Sequence, residues 1–188
     1  MPVSKANGEP WEKPWSLAEP IAKLDKPAIA AIDGDAIGQG LELVLACDIR
    51  IASEKSRFGF PHIKEGQIPW DGGTQRLPRL VGRGKALEMI LTGEMIDAQD
   101  ALRIGLVNRV VSEEDLMKAA MDMAREIALK SPIAMRYAKE SIDKGMELTL
   151  EQGLRLEADL YFLLHTTRDR TEGVRAFREK RSPHFKGR

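Results

Sequence analysis

Residues 26–48 read KPAIAAIDGDAIGQGLELVLACD, and the order of residue types in them decides the fold. Pro27 to Ile32 is a short apolar run bounded by a proline and by Asp33-Gly34, the pattern of a buried strand. Beyond that turn stand Gly38 and Gly40, then an apolar segment broken by one acid, Glu42, which predicts a helix over 40–46. Strand, glycine turn and helix start, in that order, aim backbone N–H groups at whatever lies above the turn. A carboxylate in the first turn of a helix otherwise made of Leu, Val and Ala has two readings. It is an N-terminal acid favoured by the helix dipole, or it is a working group.

Outward from this stretch, Asp48 to Ser53 alternates apolar and polar residues as a half-buried strand does. Strand, helix and strand within about thirty residues make a parallel crossover unit. Phe58 to Phe60 predicts a brief extended piece ended by Pro61. On the N-terminal side, Ser16 caps a predicted short helix through Leu24. On the C-terminal side, residues 63–73 form a glycine- and proline-bearing loop, followed by predicted helices over 74–81 and 85–91. Leu106 to Val111 is a short apolar strand or link. From Asp97 onward helices dominate, with starts read at Asp97, Ser112, Ser131-Pro132, Thr149 and Asp169. The Ser112 helix puts Leu116, Ala120, Met123, Ala124 and Ile127 on one face. The Thr149 helix is expected to bury Leu154, Leu156, Leu160 and Leu163 or their neighbours. The chain thus divides into a lead-in over 1–25, an α/β core over 26–111 and a helical region over 112–188.

Composition narrows the function. The 188 residues suffice for one domain with a real core. Lys plus Arg and Asp plus Glu number 29 each, so no global basic field points to nucleic acid. The single cysteine, Cys47, excludes an internal disulfide and reads as a buried small side chain in a reducing compartment. No apolar run approaches the roughly 18–20 residues of a membrane span, and the polar, proline-rich start lacks a signal-peptide core. A cytoplasmic setting without membrane attachment is the expectation. Gly38-x-Gly40 fails the dinucleotide fingerprint because Leu43 stands where its third glycine belongs. Gly82-Arg83-Gly84-Lys85 fails as a P-loop because Ala86 follows the lysine. His62, His165 and His184 have no metal-ligand spacing, so no metal is expected.

Three blocks in order carry a resemblance: KPAIAAIDGDAIGQGLELVLACDIRIASEKSRFGFPHIKEGQIPWDGGTQRL over 26–77, LTGEMIDAQDALRIGLVNRVV over 91–111, and EGVRAFREKRSPHFKG over 172–187. From Lys26 to the end the chain resembles the enoyl-CoA hydratase/isomerase (crotonase) family. The resemblance implies an α/β fold of the ClpP/crotonase type, a spiral of β-β-α units followed by a C-terminal helical region used for trimerisation. It implies an acyl-CoA thioester as substrate, with coenzyme A as part of it and no separate cofactor. The partners it implies are copies of the chain, as a homotrimer or a dimer of trimers. The chemistry is stabilisation of an enolate by two backbone N–H groups, with acidic side chains moving protons.

Carried over residue by residue, one oxyanion donor belongs to the turn matching Gly38, Gln39 and Gly40, and by position to Gln39, where the family has glycine. Glu42 matches the first catalytic glutamate of the hydratases. Ile37, Pro69 and Trp70 fall on the substrate side, and the Trp70 indole shapes the acyl pocket. Where the hydratases place a second glutamate, this chain has His62. It is either an auxiliary base or water positioner, since neutral imidazole accepts a proton near pH 7, or a loop residue. Asp71 is either a relocated acid or the cap of the helix that starts at Thr74.

Residues 165–188 hold eight Lys and Arg against three Asp and Glu. This is either a solvated helix and tail or, following the family, a place where Phe185 and Lys186 reach the CoA adenine and phosphate of a neighbouring subunit. The family's opening strands, with the second oxyanion donor, have no counterpart before Lys26, so the resemblance implies an N-terminally shortened member. Hydration of a 2-enoyl-CoA is the expected activity. The alternatives are enoyl-CoA isomerisation and a catalytically weak fragment serving as an oligomer subunit.

Overall fold

The computed structural model describes residues 15–188. In chain order these form α1 (Ala18–Ala22), β1 (Ile29–Ile32), β2 (Asp35–Ile37), α2 (Gln39–Leu45), β3 (Ile49–Ser53) and β4 (Arg57–Gly59). A 3-10 turn (Pro61–Glu65) leads to α3 (Gly73–Val81), α4 (Arg83–Thr92), β5 (Met95–Asp97), α5 (Ala98–Arg103) and β6 (Arg109–Val111). Four helices finish the chain: α6 (Glu113–Ala128), α7 (Pro132–Gly145), α8 (Leu150–His165) and α9 (Arg168–Arg178).

The predicted crossover is present. β1 and β3 pair in parallel with Ile29 opposite Ile49, and β6 extends this sheet on the far side of β3. A second sheet has β4 between parallel β2 and antiparallel β5. The order is therefore β-β-α twice over, β1-β2-α2 and then β3-β4-α3, as the family resemblance implies. β2 and β5 were not foreseen. Each has three residues, too few for an alternation to show.

Between the two sheets and α2 to α5 lies one core that includes Leu41, Leu45, Phe58, Phe60, Leu77 and Met89. A smaller cluster seats α6 on the first sheet through Leu116 and Ala120 against Ile51, with Met123 partly packed there. The helical region is also tied to the start of β1 electrostatically. Asp48 accepts from the Ala28 N–H at 2.7 Å and from Lys139 Nζ of α7 at 2.6 Å.

The helix caps at Asp97, Ser112, Ser131 and Thr149 are as predicted, the last as a full capping box with Gln152. Two expectations need correction. α9 is capped by Thr167, not started by Asp169. Asp169 is instead buried and accepts from the Lys186 N–H at 2.8 Å, the Gly187 N–H at 2.9 Å and the Ser131 hydroxyl at 3.1 Å. α8 does not bury the face expected of it. Only Leu160 is buried, and Leu154 and Leu163 are more than half exposed. Cys47 is half-buried, and burial pushes its thiol pKa up.

Candidate active site

The turn at residues 38–40 is built by a division of labour between a strand and a helix. Gly38 has φ 56°, a left-handed conformation that favours glycine, and its N–H donates to Gly59 O of β4 at 3.0 Å. That amide is therefore engaged in the sheet. The first intrahelical bond of α2 runs from the Glu42 N–H to Gly38 O. Gln39, Gly40 and Leu41 sit ahead of that bond, so their N–H groups are the ones the helix start leaves without an intrahelical partner. The turn's expected donor narrows to Gln39 with Gly40 behind it. A cleft of about 390 Å³ runs past Gly40 along β1, β2 and α2, with Ala31, Asp35 and Leu43 in its walls.

Glu42 is completely buried. Its Oε1 accepts from the Asp71 N–H at 2.7 Å and the Gly73 N–H at 2.9 Å, while Oε2 is buried with no donor among the described residues. A hydrogen bond to a charged group contributes about 1.5–3 kcal/mol, and a buried charge left without such bonds is costly. The pair of amides thus fixes one oxygen of the buried carboxyl. Gly73 must be glycine for this approach: a Cβ there would lie 2.7 Å from Pro69 Cβ and 3.0 Å from Glu42 Oε1. Neither amide was foreseen from the sequence, because both come from a loop about thirty residues away with no local pattern to announce it.

His62 lies in the 3-10 turn with its ring beside the Gly38 turn. A Cβ built on Gly38 would be 3.4 Å from His62 Cε1 and 3.6 Å from Nε2. The ring stands 5.9 Å from that of Phe60, and Nδ1 is buried without a partner among the described residues. The fold thus gathers Gly38, Gln39, Gly40, Glu42 and His62 around one turn. Ile37 precedes it on β2, opposite Gly59. Pro69 is buried beside Gly73, and the Trp70 side of the loop is 36% exposed.

Asp71 departs from both sequence readings. It does not cap α3, whose N-cap is Gly72 with no side-chain bond. It is not a free acid either, because both carboxylate oxygens are engaged by the start of α1. They accept from the Ser16 hydroxyl, the Leu17 N–H at 2.8 Å and the Ala18 N–H at 2.9 Å. Burial pushes the Asp71 carboxyl up, but those three donors and nearby Arg76 outweigh it and hold it below the usual range. Ser16 in turn accepts from the Glu19 N–H, but the N-cap of α1 is Leu17, one residue after the predicted cap, and the helix ends at Ala22 rather than Leu24.

Phe185 and Lys186 lie elsewhere. Phe185 packs near Gly173 of α9 and lines a cleft with Ala134, Leu164 and Phe177, and the Lys186 backbone is held by Asp169. No cluster of three or more His, Cys, Asp or Glu able to hold a metal occurs among the described residues. No helix among them is long and apolar enough to cross a membrane.

The profile of the family described as enoyl-CoA hydratase/isomerase matches residues 3–188. The chain belongs to that family. The crystal structure of an enoyl-CoA hydratase from Bacillus anthracis superposes with a TM-score of 0.89 at 47% identity, covering 91% of this chain and 66% of that one. A mitochondrial methylglutaconyl-CoA hydratase of Mus musculus is 45% identical over 176 residues, 92% of this chain and 56% of that protein. A mitochondrial enoyl-CoA hydratase of Pongo abelii is 46% identical over 166 residues, 88% of this chain and 57% of that protein. The chain thus spans between half and two thirds of the length of these relatives. The family profile reaches further toward the N-terminus than the resemblance read from Lys26, and residues 3–14 of that match lie outside the described residues. The crotonase-type α/β fold of this enoyl-CoA hydratase/isomerase family member agrees with the expectation from the sequence.

Proposed function

We propose that this chain acts on an acyl-CoA thioester and that its reaction is hydration of a 2-enoyl-CoA. One observation carries the reading: Glu42 is a fully buried carboxylate with one oxygen fixed by two amides and the other unpartnered, one turn from the amide of Gln39. The thioester oxygen accepts the Gln39 N–H as negative charge develops on it. Water adds its oxygen to C3, the C2=C3 π electrons pass into the enolate, and a proton returns to C2. Glu42 Oε2 handles the proton, and His62, beside the same turn, orients the water or takes its proton. The names of the relatives from Pongo abelii and Mus musculus, both hydratases, support hydration.

A second reading has a specific observation behind it. With the Asp71 carboxylate engaged by α1, Glu42 is the carboxylate left available at the turn. One base that removes a proton at one carbon and returns it at another suffices for enoyl-CoA isomerisation, with no water added. Assembly belongs to the proposal as well. Exposed Leu150, Leu154, Phe162 and Phe177 on α8 and α9 suit burial against further copies, as a trimer or a dimer of trimers.

Incubating the purified protein with crotonyl-CoA in heavy-oxygen water tests this. Label in a 3-hydroxyacyl product supports hydration. Unlabelled rearrangement of a 3-enoyl-CoA supports isomerisation. Absence of both, together with absence of CoA binding in calorimetry, refutes each and leaves an oligomer subunit without its own catalysis.

A further inference from the structure

The loop that holds Glu42 is Pro69-Trp-Asp-Gly-Gly73, and its sequence gives it little stiffness of its own. Two successive glycines follow Asp71, and Gly72 sits at φ 106°. Yet this loop must keep two N–H groups within 2.9 Å of a buried carboxylate oxygen. Some restraint has to come from outside the loop, and Asp71 faces two ways at once. Its N–H points to Glu42 Oε1, while its carboxylate takes the first two amides of the α1 entrance and the Ser16 hydroxyl. Arg76 holds the same residue from a third side, donating from Nη1 to Asp71 O at 2.9 Å. α1 is itself anchored, since Ala18 is fully buried.

We propose that Asp71 is a positioning residue for Glu42, tying the start of α1 to the loop whose amides fix Oε1. Its side chain does not touch substrate. It keeps its own backbone N–H and that of Gly73 in place, so that Oε1 stays occupied and Oε2 is the oxygen presented to the reacting carbon. α1 thereby becomes part of the site without contributing a side chain to the chemistry. Misplacing a reacting group by about 1 Å can cost on the order of a hundredfold in rate, so a tie of this kind is worth having even far from the substrate.

The proposal rests on Glu42 being the proton-transfer group, and the measurements separate the two. Amide hydrogen exchange at Asp71 and Gly73 needs no turnover. Asp71→Ala should raise exchange at both by about tenfold or more, and Asp71→Asn, whose oxygen still accepts an α1 amide, by about threefold or less. Unchanged exchange in Asp71→Ala overturns the proposal whether or not the protein is active. With crotonyl-CoA, Asp71→Ala should lower kcat by about tenfold or more with KM within about threefold, and Asp71→Asn should restore most of the loss. Asn as impaired as Ala overturns the proposal by making the carboxylate itself the working group. In a Glu42→Gln background, Asp71→Ala should cost nothing further, and an additional loss of about tenfold would show the two residues to act independently. If Asp71→Ala folds poorly, Ser16→Ala removes a single donor and should lower kcat by about two- to fivefold; no effect there, with unchanged exchange at Asp71, overturns the proposal. A parent protein that does not turn over crotonyl-CoA sinks the activity reading alone and leaves the exchange result to decide the positioning.

Discussion

Replacing Glu42 with Gln removes a charge without changing shape, and the geometry says which consequences follow. The Asp71 and Gly73 amides can still reach the remaining carbonyl oxygen, so the fold should hold. The proposed proton carrier is gone, so Glu42→Gln should lower turnover by about a hundredfold or more with an unchanged melting curve. Turnover near that of the parent would refute the role. Gln39 allows a sharper test, because it is the first residue of α2 and its N–H makes no intrahelical bond. Proline is tolerated at that position of a helix for the same reason. Gln39→Pro should therefore delete the proposed oxyanion donor while keeping α2, and lower kcat by about 10²–10³ as loss of such a donor does elsewhere. A side-chain substitution such as Gln39→Ala keeps the N–H and should retain kcat within about threefold. At this scale the sequence was informative wherever the chemistry is local. The strand, glycine turn and helix start that carry Gln39 and Glu42 were legible in the local sequence. The partners of the Asp71 carboxylate were not, because they stand more than fifty residues away in the chain.

Among elements the same boundary recurs. Asp97, Ser112, Ser131 and Thr149 were read correctly as caps because each accepts from an amide three residues on. Asp169 was misread because its acceptors serve the C-terminal tail, seventeen and eighteen residues further along. A neighbouring tie has a clear pH signature. Glu172 accepts a two-pronged contact from Arg181, Nη1 to Oε1 at 2.6 Å and Nη2 to Oε2 at 3.1 Å, with the His184 N–H adding a third bond. The Arg181 side-chain bonds, then the His184 amide, hold its carboxyl at about 2, against an ordinary 4.5. The folded value is depressed, so the contribution is fully present above 4.5 and is lost as pH falls from there toward about 2. The hydrogen-exchange protection of the His184 amide, which donates to Glu172, should fall across that window, and Glu172→Gln should show weakened protection already at neutral pH. Protection of that amide that does not change with pH in the parent would exclude the tie.

Along the whole molecule, strand patterning gives way to capped helices near Ser112, and among the described residues no strand follows β6. The packing of the last region was less legible, since apolar periodicity tells which face of a helix seeks burial but not what provides it. α8 shows this: Leu154 and Leu163 have the spacing of a core face and remain more than half exposed. Phe162, 70% exposed on the same helix, is the residue to test. If further copies cover this face, light scattering should give a multiple of the 21.0 kDa chain mass, and Phe162→Glu should lower that mass with helical content unchanged. A monomeric parent protein would overturn the assembly reading.

The engagement of Gly38 with Gly59 has a consequence for which changes this stretch can absorb. The β2–β4 ladder ends on the Gly38 amide, and α2 begins on the next residue, so the ladder counts out the phase of the helix. Deleting one residue between Asp35 and Gly38 would either pull the chain off Gly59 or rotate every α2 side chain by about 100°, carrying Glu42 away from its two amides. Side chains here can be exchanged one for another, as Gln39 itself shows, but the number of residues between strand and carboxylate cannot.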